Sequence, residues 1–104
     1  VLRVTGMEPD QGEKVMIQRS TAFEQWAPQQ GDKLIEYGHE NGCFSEIRLR
    51  RTHNGLIGLM FIGVYREDGK LITEQIHDIS DETDDQASEV AMAEARRWAL
   101  NARR

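Results

Sequence analysis

Between Lys33 and Ile79 the apolar and β-branched residues fall into four short runs, and the three breaks hold Asn41-Gly42, Asn54-Gly55 and Asp68-Gly69. Gly, Asn and Asp tolerate the positive φ that hairpin corners need, so each dipeptide between β-rich runs reads as a turn. The pattern predicts a four-stranded antiparallel meander. Two-residue loops at the first two corners set Leu34 opposite Leu49, Leu49 opposite Met60 and Ile47 opposite Ile62. At the third corner, Glu67-Asp68-Gly69 reads as a three-residue loop with Gly69 left-handed, which sets Val64 opposite Ile72 and Met60 opposite Ile76. Side chains alternate along a strand, so this register gathers Leu34, Ile47, Leu49, Met60, Ile62, Val64, Ile72 and Ile76 on one face. Glu36 and Glu74 are the exceptions on that face.

The period then changes from two to 3.6. Thr83 and Gln86 have capping-box spacing, Asp84, Asp85 and Glu89 load the first turns, and Arg96, Arg97, Arg103 and Arg104 load the end. A helix over about 83–101 follows. Ala87, Ala91, Ala95, Trp98, Ala99 and Ala102 form its stripe, with Val90 and Met92 on the borders. An alanine stripe lets the helix lie close to the sheet, with Trp98 as the large anchor and the most damaging position to truncate. Upstream, Val1–Val4 reads as an edge strand and Lys14–Gln18 as another. Thr21 and Glu24 cap a short helix that Pro28 ends. The expected fold class is α+β: a single domain over 1–104, with an N-terminal strand/helix segment (1–32), a β-meander (33–79) and a C-terminal α-helix (83–101) packed on it.

The other sheet face then carries Ile35, Tyr37, Phe44, Glu46, Arg48, Arg50, Ile57, Leu59, Phe61, Gly63, Tyr65 and, on the last strand, Leu71, Thr73, Gln75, His77 and Ile79. It is too apolar to stand bare and too charged for a second sealed core. Either Val15, Ile17, Phe23 and Trp26 fold over it, or a second copy pairs there or along a sheet edge, or single-stranded nucleic acid stacks on its aromatics. Arg48, Arg50, Leu59, Phe61 and Tyr65 are the candidate interaction face.

Composition narrows the partner. The 104 residues carry a formal charge of −5. The first 66 residues hold eight basic and eight acidic side chains, the remainder five basic and ten acidic. That balance disfavours a dedicated polyanion binder. The sole cysteine, Cys43, fits a reducing compartment, and neither a signal peptide nor an apolar run long enough for a bilayer is visible, so a cytoplasmic location is expected. Chemistry is thinly represented. Cys43 has no histidine placed beside it by the pattern. The three histidines lack metal-ligand spacing, and the acidic run Asp78–Asp85 lacks the glycine and closing glutamate of a calcium loop. No phosphate-cradling glycine loop or nucleophile elbow occurs. The sequence therefore predicts a non-enzymatic protein-interaction or accessory domain without cofactor, self-associating through its sheet or bound to a protein partner. The alternative is a nucleic-acid-binding module using the Arg/aromatic face.

Overall fold

The computed structural model describes residues 16–52 and 54–102. In chain order these form α1 (Thr21–Trp26), β1 (Lys33–Gly38), β2 (Phe44–Arg51), β3 (Ile57–Tyr65), β4 (Leu71–Glu82) and α2 (Asp84–Leu100). The strands make one antiparallel sheet in the order β1-β2-β3-β4, with α2 across one face. The α+β meander expected from the turn dipeptides is thus the fold. The expected strand at Val1–Val4, Val15 and the terminal Arg103 and Arg104 lie outside the described residues. Met16–Gln18 is not a strand, and α1 is capped by Ser20, whose hydroxyl accepts from Ala22 N–H, rather than by Thr21.

All three corners share one geometry. His39, Thr52 and Arg66 each donate an N–H to the carbonyl four residues on, and Gly42, Gly55 and Gly69 each donate back three residues, at 2.8–3.0 Å. The glycines have φ of 92°, 85° and 89°. This is the three-residue loop in which a type I turn runs into a left-handed glycine. Asn41, Asn54 and Asp68 each accept the N–H two residues on, which locks the turn from the side chain.

Two-residue loops were the wrong expectation for the first two corners, and the consequences differ. Between β1 and β2 the extra residue moves the register by one: Lys33 pairs with Leu49 and Ile35 with Ile47. The whole strand therefore turns over. Ile35 and Tyr37 face α2, whereas Leu34 is 46% exposed on the other side. Between β2 and β3 an irregularity at Arg50/Arg51 absorbs the extra residue, so Leu49 still meets Met60 and Ile47 meets Ile62. The third corner has the expected three residues. A further irregularity beside Val64/Tyr65 then shifts β4, pairing Phe61 with Ile76 and Gly63 with Glu74. Ile76 and Glu74 accordingly leave the α2 face.

The core beneath α2 holds Cys43, Ile47, Leu49, Ile57, Met60, Ile62 and Val64 against Ala87, Ala91, Ala95 and Ala99, each alanine with no exposed surface. The capping box at the start of α2 is complete: Thr83 Oγ1 accepts from Gln86 N–H, and Gln86 Oε1 accepts from Thr83 N–H, both at 3.2 Å. Tyr37 Oη donates to Met92 O and Asn41 Nδ2 to Ala99 O, which fixes the helix height over β1 and the first corner. Trp98 is not the buried anchor. It is 37% exposed and donates through Nε1 to Glu94. A slot sized for methyl groups has no room for an indole, so Trp98 lies along the helix flank. Among the described residues no helix is long and apolar enough to cross a membrane.

Close packing around the alanine stripe makes it the sensitive part of α2. Ala91→Leu is expected to lower stability by about 1–3 kcal/mol through overpacking. Trp98→Ala is expected to cost less, about 1 kcal/mol, since Trp98 already leaves 37% of its surface in water and lies outside the tightly packed stripe. Urea unfolding monitored by circular dichroism measures both; the reverse order would place the anchor back at Trp98.

Candidate functional site

The five residues singled out from the sequence, Arg48, Arg50, Leu59, Phe61 and Tyr65, do share the face away from α2. That face is roofed by the segment 16–32. Phe61 and Tyr65 have no exposed surface, Leu59 is half-buried, and the Arg48 and Arg50 side chains are 18% and 17% exposed. Phe23 meets Phe61 edge-on at 5.7 Å between centroids, and Trp26 lies 5.9 Å from the same ring. The chain leaves α1 through Ala27, left-handed at φ 50°, immediately before Pro28. Proline disfavours α-helical backbone at the residue before it, and Ala27 takes the left-handed step instead, which ends the helix after six residues.

Arg50 closes one end of the roof. It forks onto Asp32 at 2.8 Å through Nε and Nη2, donates to the carbonyls of Trp26 and Ala27, and stacks 4.0 Å over the Trp26 ring. Asp32 also accepts from Trp26 Nε1 and from Gln29 N–H, each at 3.0 Å. Burial alone would raise the Asp32 carboxyl; the Arg50 bonds, then those from Gln29 and Trp26, outweigh it and hold the group below the usual range.

The other end is a cluster that the sequence reading did not assemble. Glu46 on β2 and Glu74 on β4 both pair with Gly63, so two carboxylates flank one glycine. Their side chains are 3% and 0% exposed. Tyr65 bends back over the gap, and a Cβ on Gly63 would stand 2.1 Å from its hydroxyl. Tyr65 Oη donates to Glu74 Oε2 and accepts from Arg19 Nη1 at 3.0 Å. Arg19 reaches Glu46 at 2.9 Å and Glu74 at 3.3 Å, and stacks 3.8 Å over Phe23. Arg48 Nε donates to Glu46 at 2.6 Å, while Ser20 gives both its N–H and its hydroxyl to Glu74 Oε1 at 2.7 Å. Burial, then the Glu74 carboxylate, push the Tyr65 phenol far above its ordinary range, so it remains a donor. Each of the four carboxylate oxygens already accepts a hydrogen bond. Two arginines offset two glutamates, and the group acts as a clamp holding residues 19–20 to three strands. A signal exists in Glu46 and Tyr65 sharing a strand face with Gly63, but the register expected from the turns puts Glu74 on the opposite face, and nothing in the pattern places Arg19.

The remaining candidates separate. His39 Nε2 lies 2.6 Å from Ser45 Oγ, its ring against Tyr37, and burial lowers its pKa. Cys43 is buried in the α2 core. The acidic residues that follow Asp78 diverge: Asp81 accepts from Asn54, and Asp84 pairs with Arg51.

Accessible apolar surface lies elsewhere, along β4 and α2. β4 is twelve residues long; among the described residues β3 is its one strand partner, and Gln18 takes the Leu71 N–H at its start through Oε1. At one end Leu71, Ile72, Arg97 and Trp98 line a hollow of about 340 Å³. At the other, His77, Ile79, Val90 and Glu94 line one of about 200 Å³. Val90 is 51% exposed. Glu94 accepts from both Arg97 and Trp98, ordering the helix wall between the two hollows.

Removing the clamp's cation should be severe. Arg19→Met leaves two buried carboxylates short of positive charge and is expected to cost about 3–5 kcal/mol. Gly63→Ala, which drives a methyl into the Tyr65 hydroxyl, is expected to cost about 1–3 kcal/mol. Denaturant melts check both, and an unchanged midpoint for either would refute the clamp. The depressed Asp32 pKa also has a defined pH signature. The unfolded chain binds the proton first as pH falls, so the Asp32 contribution is complete above the ordinary carboxylate pKa of about 3.9 and is lost below it. Asp32→Asn should therefore be less stable near neutrality and show a shallower decline below about pH 4, read from melting temperature against pH.

No protein-family model, curated protein or solved structure matches this chain.

Proposed function

We propose that this chain is a non-enzymatic, cytoplasmic protein-interaction domain whose contact surface is the free side of β4 together with the groove between β4 and α2. The observation carrying this reading is the half-exposed Val90 and the partly exposed Trp98 beside a long strand that, among the described residues, has a strand partner on one side. A strand edge offers main-chain donors and acceptors, and an adjoining apolar groove offers side-chain selectivity; together these are the parts of strand-addition recognition. The broad sheet face is engaged by α1, which favours the edge over the face as the contact. The same burial weighs against the nucleic-acid alternative, because Phe61 and Tyr65 have no face free for a base and Arg50 is committed to Asp32. The saturated Glu46 and Glu74 oxygens likewise support a non-catalytic role.

The test compares proteins that co-purify with the wild-type chain, with Val90→Glu plus Trp98→Lys, and with Lys33→Glu on the far edge as control. The expected result is a partner retained by wild type and control and lost from the groove variant, with the circular dichroism spectrum unchanged. Salt-sensitive oligonucleotide binding at low ionic strength, abolished by Arg48→Glu and indifferent to the groove variant, would instead establish the alternative.

A further inference from the structure

We infer that His39 is a proton-operated latch for the second half of α2: while its ring is neutral the first corner holds residues 92–99 over β1, and protonation lets that stretch go. The latch is separate from the contact surface proposed along β4, and its test does not involve a partner.

The ring is walled in. His39 is 8% exposed and Ser45 1%. Alternation along β2 puts Ser45 on the α2 side of the sheet with Ile47 and Leu49. His39 Nε2 lies 2.6 Å from Ser45 Oγ, and the ring centroid is 4.6 Å from that of Tyr37. The main chain is fixed as well: His39 N–H donates to Cys43 O, and His39 O accepts from Gly42 N–H. The ring therefore reaches water only if the corner opens.

A neutral imidazole suits this setting, because a hydroxyl can either donate to Nε2 or accept from it. An imidazolium does not. The titratable and charged groups around it are Tyr37 on β1, Glu40 and Cys43 in the corner, and Arg96 on α2. Beyond Cys43, the residues Arg66, Glu67 and Asp68 line the hollow between the first and third corners. Glu40 favours the cation, but both its oxygens accept from Arg96 at 2.8 Å. Burial above all, with Arg96, outweighs Glu40, so the folded ring resists the proton.

The consequence falls on α2 because the ties to the helix surround His39 in sequence. Tyr37 Oη donates to Met92 O at 2.8 Å, Arg96 forks onto Glu40, and Asn41 Nδ2 donates to Ala99 O at 3.0 Å. These bonds span about two helical turns. Hydrating a charged ring parts it from Tyr37 and opens the corner that presents Glu40 and Asn41, so the ties are lost together. The unfolded chain takes the proton first as pH falls through the ordinary histidine value of about 6.5. The hold on α2 is thus complete above that value, weakens below it, and stops changing once the folded ring is protonated too. Glu40 is not the titrating group there, since its bonds from Arg96 keep its carboxyl below the usual range.

The test is amide hydrogen exchange by NMR on the full chain, normalised to intrinsic exchange, between about pH 7.5 and about pH 5. Protection of residues 92–99 is expected to fall about threefold or more at the lower pH while β3 amides keep theirs, and the fall is expected to track the titration of the His39 ring in the same protein. His39→Gln keeps a group able to bond Ser45 but cannot take the proton, and is expected to lose the pH dependence. His77→Gln, at an exposed position, is expected to retain it. The wild-type measurement needs no variant, so it decides even where His39→Gln fails to fold. Constant protection of residues 92–99 across the range overturns the latch. So does a loss shared equally by β3, or one that persists in folded His39→Gln.

Discussion

Two carboxylates that cannot reach water stand on either side of Gly63, and the arrangement of the second sheet face follows from neutralising them. Glu46 and Glu74 come from the strands flanking β3, at the same level of the sheet. Left as a pair they would repel in a medium that screens poorly. Arg48 serves Glu46 from the same strand; the charge for Glu74 comes from Arg19, outside the sheet. The meander therefore depends on a segment that precedes it in sequence. Once Arg19 is seated, Ser20 caps α1, and the helix points Phe23 and Trp26 at Phe61. Arg50 and Asp32 then fasten the far end. A buried ion pair is rarely a large net stabiliser. What this one contributes is position: it decides which surface the six-residue helix covers.

The two faces of the sheet are built on opposite principles. Toward α2, contact is made by methyl and methylene groups, and the helix is close because its stripe is alanine. Toward α1, contact is made by aromatic rings with guanidinium groups laid over them, Arg19 on Phe23 and Arg50 on Trp26. Guanidinium suits this use because its flat face rests on a ring while its edge donates to a carboxylate. Arg48 and Arg50 looked like ligands for phosphate because they are spaced for one face and accompanied by aromatics. The same chemistry is satisfied intramolecularly by Glu46 and Asp32.

How much was legible follows from where one residue more or less matters. Asx-Gly located every corner, and the hydrophobic pattern placed β2 and β3 in register, because the three-residue loop between them is offset by the irregularity at Arg50/Arg51. No such offset exists at the first corner, so β1 is turned over and Ile35, not Leu34, meets α2. At the last corner the loop length was right, but an irregularity beside Val64/Tyr65 turns β4 over, which moves Glu74 into the clamp. Neither irregularity has a marker as plain as Asx-Gly. Trp98 was misplaced for a different reason. Helical angle puts it near the stripe, but the angle does not show that the slot below is one methyl deep.

These departures bear on β4. Had β4 kept the expected register, Glu74 would face α2 and Ile76 would lie in the core. In the fold as it stands, the clamp removes the charge from the middle of β4 and leaves Ile76 at the surface. The other outer strand is differently equipped: β1 has six residues, with Lys33 and Glu36 at their own positions along it and Glu36 exposed. A short strand bearing charge resists addition of a further strand, whereas a long one whose single central charge is drawn inward invites it. The interaction that secures α1 to one face is thus the same interaction that leaves β4, rather than β1, fit to accept a neighbour.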